Sequence, residues 1–241
     1  MRTTCRACPI RALPAFKNLP DDKIDFIQSM KSNHLQQDAG SWLIHAGRPA
    51  ELYTLFSGWA FRFKTLPDGR RQILNFLLPG DLVGLQASLF ADSLYDVVAL
   101  TAVELCVFPR SKMLALFEQM PELAFVLTWL GAREESQVDD NLMSVGARSA
   151  EEKIAALIIG LYRRADLLAL VRDKKLLFPL SQRHVADALG LSLVHTNKTI
   201  NKLRRMGVFD LSGGMLTLQN VGALERIAQA FETEVAPRPL I

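Results

Sequence analysis

Cysteine is scarce in this chain: three residues in 241, an odd number, which excludes a disulfide framework as the source of stability. Histidine is nearly as rare. Of the four, His184 and His195 lie together in one C-terminal segment, leaving His34 and His45 for the whole first half. That is too few for the convergent histidines and carboxylate of a metal-dependent oxygenase or isomerase. No Gly-rich phosphate loop or nucleophile motif occurs either, so a β-roll metalloenzyme stands only as the contrasting reading from another class. Long apolar runs are missing too, since residues 123–132 and 154–162 fall well short of the roughly 18 to 20 residues of a membrane span. Arg2, Arg6 and Arg11 at the N-terminus flank no continuous apolar core. Neither a signal peptide nor an anchor is expected, and the chain reads as cytoplasmic with no membrane partner.

Charge of one sign is lacking overall, with a formal net of +3, but it is unevenly spread. Residues 1–146 carry a net −2 and residues 147–241 a net +5. Within the second part, Leu180 to Phe209 holds Arg183, Lys198, Lys202, Arg204 and Arg205 against Asp187 alone. The same stretch has the pattern of two helices around a tight glycine turn. Ser181 is an N-cap, Val185, Ala188 and Leu189 recur at helical spacing, Gly190 supplies the turn, and Ser192 caps the next helix. In the second helix Val194, Thr199, Ile200 and Leu203 are expected to pack inward, leaving Leu193, His195, Asn197, Lys198 and Lys202 outward. Buried helical hairpins share the spacing; the local positive charge favours a helix-turn-helix that enters a DNA major groove. Two short β-type runs around Ser212-Gly213-Gly214 follow at once and predict a hairpin, the wing of a winged helix-turn-helix. Leu176-Leu177-Phe178 adds a possible strand before the motif.

The first half is different in kind. Between Gly40 and Phe108, the runs 42–44, 52–56, 60–63 and 73–77 are separated by Gly47-Arg48-Pro49, Ser57-Gly58, Pro67-Asp68-Gly69 and Pro79-Gly80-Asp81. Short strands at regular intervals predict a small all-β barrel or roll. From Glu122 to Gly146 there is no proline, which allows about 37 Å of helix at the standard rise. Leu123, Leu127, Leu130, Val138, Leu142 and Val145 form an apolar stripe along it, to be covered by a second copy or by the chain's own domain. Glu134, within that stripe, is either a register position or a solvated edge. A second helix from Ser149, with Ile154, Leu157, Ile158 and Leu161 inward, leads into the basic half.

Gly58 to Gly84, GWAFRFKTLPDGRRQILNFLLPGDLVG, and Leu180 to Phe209 together resemble, in order and spacing, the transcription regulators of the CRP/FNR family, nearly end to end. The resemblance implies an α+β chain with three parts. Residues 1–115 would form a sensor β-roll, a cyclic-nucleotide-binding-like jelly roll with an N-terminal cysteine segment. Residues 116–147 would form the dimerisation helix region, and residues 148–241 the winged helix-turn-helix. It implies a homodimer on a near-palindromic operator, with recognition helices about 34 Å apart, and RNA polymerase as partner if the protein activates. The family's base-contacting positions fall on Leu193, Val194 and Lys198. Ser181, Gln182, Ser192, Asn197 and Lys202 fall on phosphate or neighbouring contacts, with His195 beside them. Val194 and Lys198 replace the glutamate and arginine of the best-known members, so a different operator is expected.

The resemblance also raises two effectors. Cyclic-nucleotide-binding relatives place a glutamate and an arginine after the Pro-Gly-Asp turn. Here Leu85 holds the glutamate's place and no Lys or Arg occurs between Arg71 and Arg110, so cyclic AMP is not expected. Cys5-Arg6-Ala7-Cys8-Pro9 and Cys106 match cysteine positions of the family's iron–sulfur members, but Pro14 stands at a further one. An iron–sulfur cluster on Cys5, Cys8 and Cys106 would need a substitute ligand such as a carboxylate, His34 or His45, and zinc is a chemical alternative. A thiol redox pair remains open, as do cysteines without a sensory role: Cys106 packed in the core, Cys5 and Cys8 in a loose terminus. In that last case the regulator would act without an effector or with a small molecule in the roll.

Overall fold

Pro20 and two aspartates open the first helix, α1 (Asp21–Met30), setting Asp21 and Asp22 in its first turn against the positive end of the helix and turning Ile24, Ile27 and Met30 inward. The computed structural model describes residues 3–229 and 237–241. They form two compact units, one built from residues 3–64, 76–136 and 237–241, the other from residues 65–75 and 137–229.

The strands of the first half follow the turn residues. They are β1 (Asn33–Gln37), β2 (Trp42–Ile44), β3 (Leu52–Ser57), β4 (Ala60–Thr65), β5 (Arg71–Leu77) and β6 (Leu82–Val83). After the short helix α2 (Leu85–Leu89) come β7 (Asp96–Ala99) and β8 (Val103–Phe108). Two four-stranded sheets result, in the orders β1-β8-β3-β6 and β2-β7-β4-β5. Their order is not sequential, as a roll requires. Leu55, Leu78, Val97 and Leu105 are wholly buried between them. Helix α3 (Met113–Gln119) then leads to the long α4 (Pro121–Ala147). The apolar stripe of α4 divides. Leu123, Leu127 and Leu130 are buried against Ile24, Ile27 and Met30 of α1, while Val138 and Leu142 are 37% and 69% exposed. Glu134 is neither a solvated edge nor part of the exposed stripe. Its carboxylate accepts from Arg62 of β4 at 3.3 Å, and that guanidinium lies 4.9 Å over the Tyr95 ring.

The second unit continues with α5 (Ala150–Leu167), started by a capping box in which Ser149 and Glu152 satisfy each other's backbone N–H groups. It goes on through β9 (Val171–Arg172), β10 (Lys175–Leu177), α6 (Gln182–Leu189), α7 (Leu193–Arg205), β11 (Phe209–Ser212), β12 (Met215–Leu218) and α8 (Val221–Ala228). The wing hairpin β11–β12 pairs onward to β10 and β9, so the Leu176 run is a strand of the same sheet. Residues 237–241, which the sequence assigns to this C-terminal half, pack instead in the first unit, where Arg238, Leu240 and Ile241 are buried.

Gly58 and Gly47 both adopt positive φ, +86° and +72°, in which a side chain is strained. A Cβ at Gly58 would also lie 2.2 Å from the Ala102 carbonyl oxygen, whereas at Gly47 it would meet nothing within 4 Å. Gly47→Ala is therefore expected to cost about 1 kcal/mol and Gly58→Ala about 3 kcal/mol or more. Urea midpoints of the two variants check this; equal shifts would mean that the carbonyl contact is relieved at no cost.

Candidate nucleic-acid interface

The recognition surface begins with what lies beneath it. Thr196, Thr199, Ile200 and Leu203 of α7 are buried, and Val185, Ala186 and Leu189 of α6 are buried in the same unit. Gly190 at φ +64° ends α6 in the left-handed conformation that the turn requires. Ser181 and Ser192 cap the two helices as expected, accepting from the backbone N–H groups of His184 and His195. The expectation that Val194 packs inward is corrected. Val194 is 66% exposed, and Thr196 takes the interior position. A helix turns 100° per residue, so Thr196, Thr199, Ile200 and Leu203 share a face that Val194 cannot join.

The outer face carries Leu193, Val194, His195 and Lys198 in the open. Amide side chains run across it in series: Asn201 donates to Asn197, and Asn197 donates to Gln182 at the start of α6, each at 2.8 Å. The two helix starts are thereby held together. Lys198 is exposed and makes no hydrogen bond or ion pair among the described residues. Lys202 is already paired with Glu151 of α5, so contact with a phosphate requires exchange of that carboxylate. Beside these lies an open groove of about 890 Å³, lined by Asn197, Lys198, Asn201 and Lys202 and also by Arg204, Arg205, Asp210 and Gln219. The last four and Asn201 were not among the sequence candidates. Asn201 and Arg205 follow Val194 and Lys198 at helical spacing, which would have revealed them. Gln219 reaches the groove only because the wing folds back. Arg204 is held by Asp210 of the wing, through Nε at 3.0 Å and Nη2 at 2.6 Å.

A groove of this size, walled by cations and amides beside an exposed helix face, fits a polyanion whose bases present donors and acceptors. Comparison with known proteins agrees. The family described as Cyclic nucleotide-binding domain matches residues 35–120, and the Crp-like helix-turn-helix domain matches residues 152–227. The nitrogen fixation regulation protein FixK of Bradyrhizobium diazoefficiens is 35% identical over 74% of this chain and 74% of its own. The transcriptional activatory protein AadR of Rhodopseudomonas palustris is 33% identical over 84% of this chain and 86% of its own. The chain belongs to the CRP/FNR family. The structure of FixK2 from Bradyrhizobium japonicum superimposes with a TM-score of 0.74 at 25% identity, covering 83% of this chain and 98% of that one. This CRP/FNR protein is thus a DNA-binding transcription regulator rather than an enzyme.

The cysteines of the regulator do meet. Cys5, Cys8, Cys106 and His34 all line one cavity in the first unit, but its volume is about 20 Å³, room for about one water. Cys106 Sγ lies 3.8 Å from His34 Nε2, which is itself 2.9 Å from Lys31 Nζ; His34 Nδ1 is 2.6 Å from Glu104. Among the described residues no three His, Cys, Asp or Glu side chains are grouped to hold a metal ion. The set therefore does not fit an iron–sulfur cluster or zinc, and the ligand roles expected of Cys5, Cys8 and Cys106 are not supported. His45, the other substitute ligand, is not on the cavity wall. Nor is the N-terminal pair in a loose terminus: Cys5 is buried, and its N–H donates to Gln28 at 2.7 Å. Burial pushes the Cys5 thiol up and the Cys106 thiol up to about 12, so both stay protonated at neutral pH.

His184 completes the α6 capping box as an acceptor: Ser181 N–H donates to its Nδ1 at 3.1 Å. Burial lowers its pKa first, and the Arg71 guanidinium lowers it further against the opposing pull of Asp187. A depressed folded-state pKa means stability present above the imidazole's ordinary value of about 6.5 and lost as pH falls from there through the lower folded-state value. Thermal midpoints of the wild type should therefore drop between pH 7.5 and 5.5 more than those of His184→Gln, whose amide keeps the acceptor without titrating. Parallel curves would remove this role.

Proposed function

We propose that the protein is a homodimeric, sequence-specific regulator that reads a near-palindromic operator with Leu193, Val194 and Lys198 of α7. The observation that carries this is Lys198, an exposed cation that makes no hydrogen bond or ion pair among the described residues, beside Asn197, Asn201 and Lys202, which are held. Ser181, Gln182, Ser192, His195, Asn197 and Lys202 surround it as phosphate or neighbouring contacts. Val194 offers only an apolar contact, such as a thymine methyl, and Lys198 a single-point donor, so the operator differs from those read by glutamate and arginine. AadR is named for activation, and activation with RNA polymerase as partner is the mode proposed for this chain too. No helix among the described residues is long and apolar enough to cross a membrane, which accords with action in the cytoplasm. Lys198→Ala is expected to relax discrimination at one base position, at a cost of about 1–3 kcal/mol on the preferred operator. A binding series over operator variants checks it. Equal weakening on all of them would make Lys198 a phosphate contact instead.

The exposed part of the α4 stripe supports pairing with a second copy. Val138, Leu142 and Met143 are 37%, 69% and 50% exposed on a helix of 27 residues, and Phe125 is 71% exposed near its start. Apolar side chains left open on a long helix are stabilised by an identical helix across a two-fold axis. Leu142→Asp should weaken the dimer at least tenfold in sedimentation equilibrium, by placing a charge in that seam. An unchanged dimer constant would move the interface elsewhere.

The effector reading follows from the interior. Cyclic AMP lacks the cation that its phosphate needs after the Pro-Gly-Asp turn; of the buried arginines described, Arg62 and Arg238 are engaged by Glu134 and Asp81, and Arg11 by the carbonyl oxygens of Cys5 and Leu240. Cys5, Cys8 and Cys106 share a cavity too small for a cluster. The redox- or oxygen-responsive reading is therefore set behind a regulator that binds DNA without a diffusible effector.

A further inference from the structure

Residues 237–241, Pro-Arg-Pro-Leu-Ile, hold a place in the first unit that no part of the DNA-binding reading uses. The chain leaves the second unit after α8 and is described again only within the first. There the segment lies along Ala15–Lys17 in the manner of an added strand. Arg238 N–H donates to Ala15 O at 2.9 Å, and Lys17 N–H donates to Arg238 O at 2.8 Å. The Arg238 guanidinium enters a built site. It pairs with Asp81 at 2.7 Å, both side chains less than a tenth exposed, donates to Pro79 O, and lies 5.1 Å over the Phe16 ring. Arg11 donates to Leu240 O and the Thr54 hydroxyl to Ile241 O, while the side chains of Leu240 and Ile241 are buried. The floor is shaped for this: a Cβ on Gly80 would stand 2.1 Å from Phe16 and 3.3 Å from Leu240.

We propose that this groove is a peptide-binding site of the sensor unit, with residues 237–241 as its tethered, reversibly docked ligand. The site takes an extended segment with arginine at one position and aliphatic side chains two and three positions on. Two features set the segment apart from permanent core, although Leu240 and Ile241 are buried and Ile241 joins the hydrophobic cluster of the first unit. Pro237 and Pro239 restrict the free segment to extended forms, so docking orders little. Asp81 also accepts from Leu78 N–H at 2.8 Å, so its turn keeps a partner when the arginine leaves. Leu240 and Ile241 also wall the cavity that holds Cys5, Cys8 and Cys106, so the docked segment closes off those thiols. This proposal stands apart from the DNA-binding reading, and its test contains no DNA.

The test compares the full chain with Arg238→Glu, which sets a carboxylate against Asp81 and expels the segment. The probe is the synthetic peptide Ala-Pro-Arg-Pro-Leu-Ile, with a control peptide carrying glutamate in place of arginine. The variant should bind the probe at least tenfold more tightly than the wild type does, and the control at least tenfold more weakly than the probe. Cys106 should alkylate at least tenfold faster in the variant, and the probe should restore its protection. A folded variant that ignores the probe, or equal binding by the two proteins, overturns the proposal. Hydrogen exchange on the unaltered chain needs no variant. The Lys17 and Arg238 amides should exchange at least tenfold faster than those of β8, through local release of the segment. Exchange of both at the rate of β8 would show a permanent part of the core and overturn the proposal as well.

Discussion

The dry contact under α7 is the constraint on which the reading of DNA depends. Four buried residues in the helix, Thr196, Thr199, Ile200 and Leu203, fix its rotation about its own axis. Once that rotation is set, Val194 and Lys198 must face outward, because successive residues turn by 100°. The two serine caps and the left-handed Gly190 then fix where each helix begins and ends, and the amide series Gln182–Asn197–Asn201 ties the two starts. Lys198 is left without a partner among the described residues while Asn197, Asn201 and Lys202 are held. A helix face held in this way needs no backbone rearrangement before it meets DNA, although the Lys198 side chain itself is ordered only on contact.

Charge is managed differently in the two units. On the DNA-facing side of the second unit, Lys202 and Arg204 pair with the part-exposed carboxylates Glu151 and Asp210. Exposed pairs of this kind contribute little to stability and exchange readily for phosphate. In the roll, Arg62–Glu134 and Arg238–Asp81 are buried, and breaking one side strands the other charge at a cost of about 3–5 kcal/mol. Burial raises the Glu134 pKa, and the Arg62 guanidinium offsets that rise only in part.

Much of this was legible in the sequence, for reasons that can be named. The helix-turn-helix, its caps, the wing and the strands between Gly40 and Phe108 are local: turn residues, spacing and capping serines act within a few positions. The misplacement of Val194 is also local. At a helix start the apolar period has too few residues to set its phase, and hydrophobicity alone favoured valine over the smaller Thr196, which the packing selects. Glu134 and Arg62 are 72 positions apart, so no periodicity along α4 could reveal their pairing. The convergence of Cys5, Cys8 and Cys106 was visible as a family resemblance. The size of their cavity was not, because it depends on Leu240 and Ile241 arriving from the far end of the chain.

The docked segment and the lack of cations after the Pro-Gly-Asp turn have a common physical reading. A roll that binds an anionic effector must keep a buried cation without a partner in its empty state, which is costly. Among the described residues Arg62 is paired by the long helix that carries the exposed apolar stripe and Arg238 by the turn itself, while the buried Arg11 meets the carbonyl oxygens of Cys5 and Leu240. On the proposal of a docked segment, a molecule that acts on the roll competes with the segment that carries Arg238. Control of such a sensor lies in competition for Asp81 more than in affinity for an empty pocket.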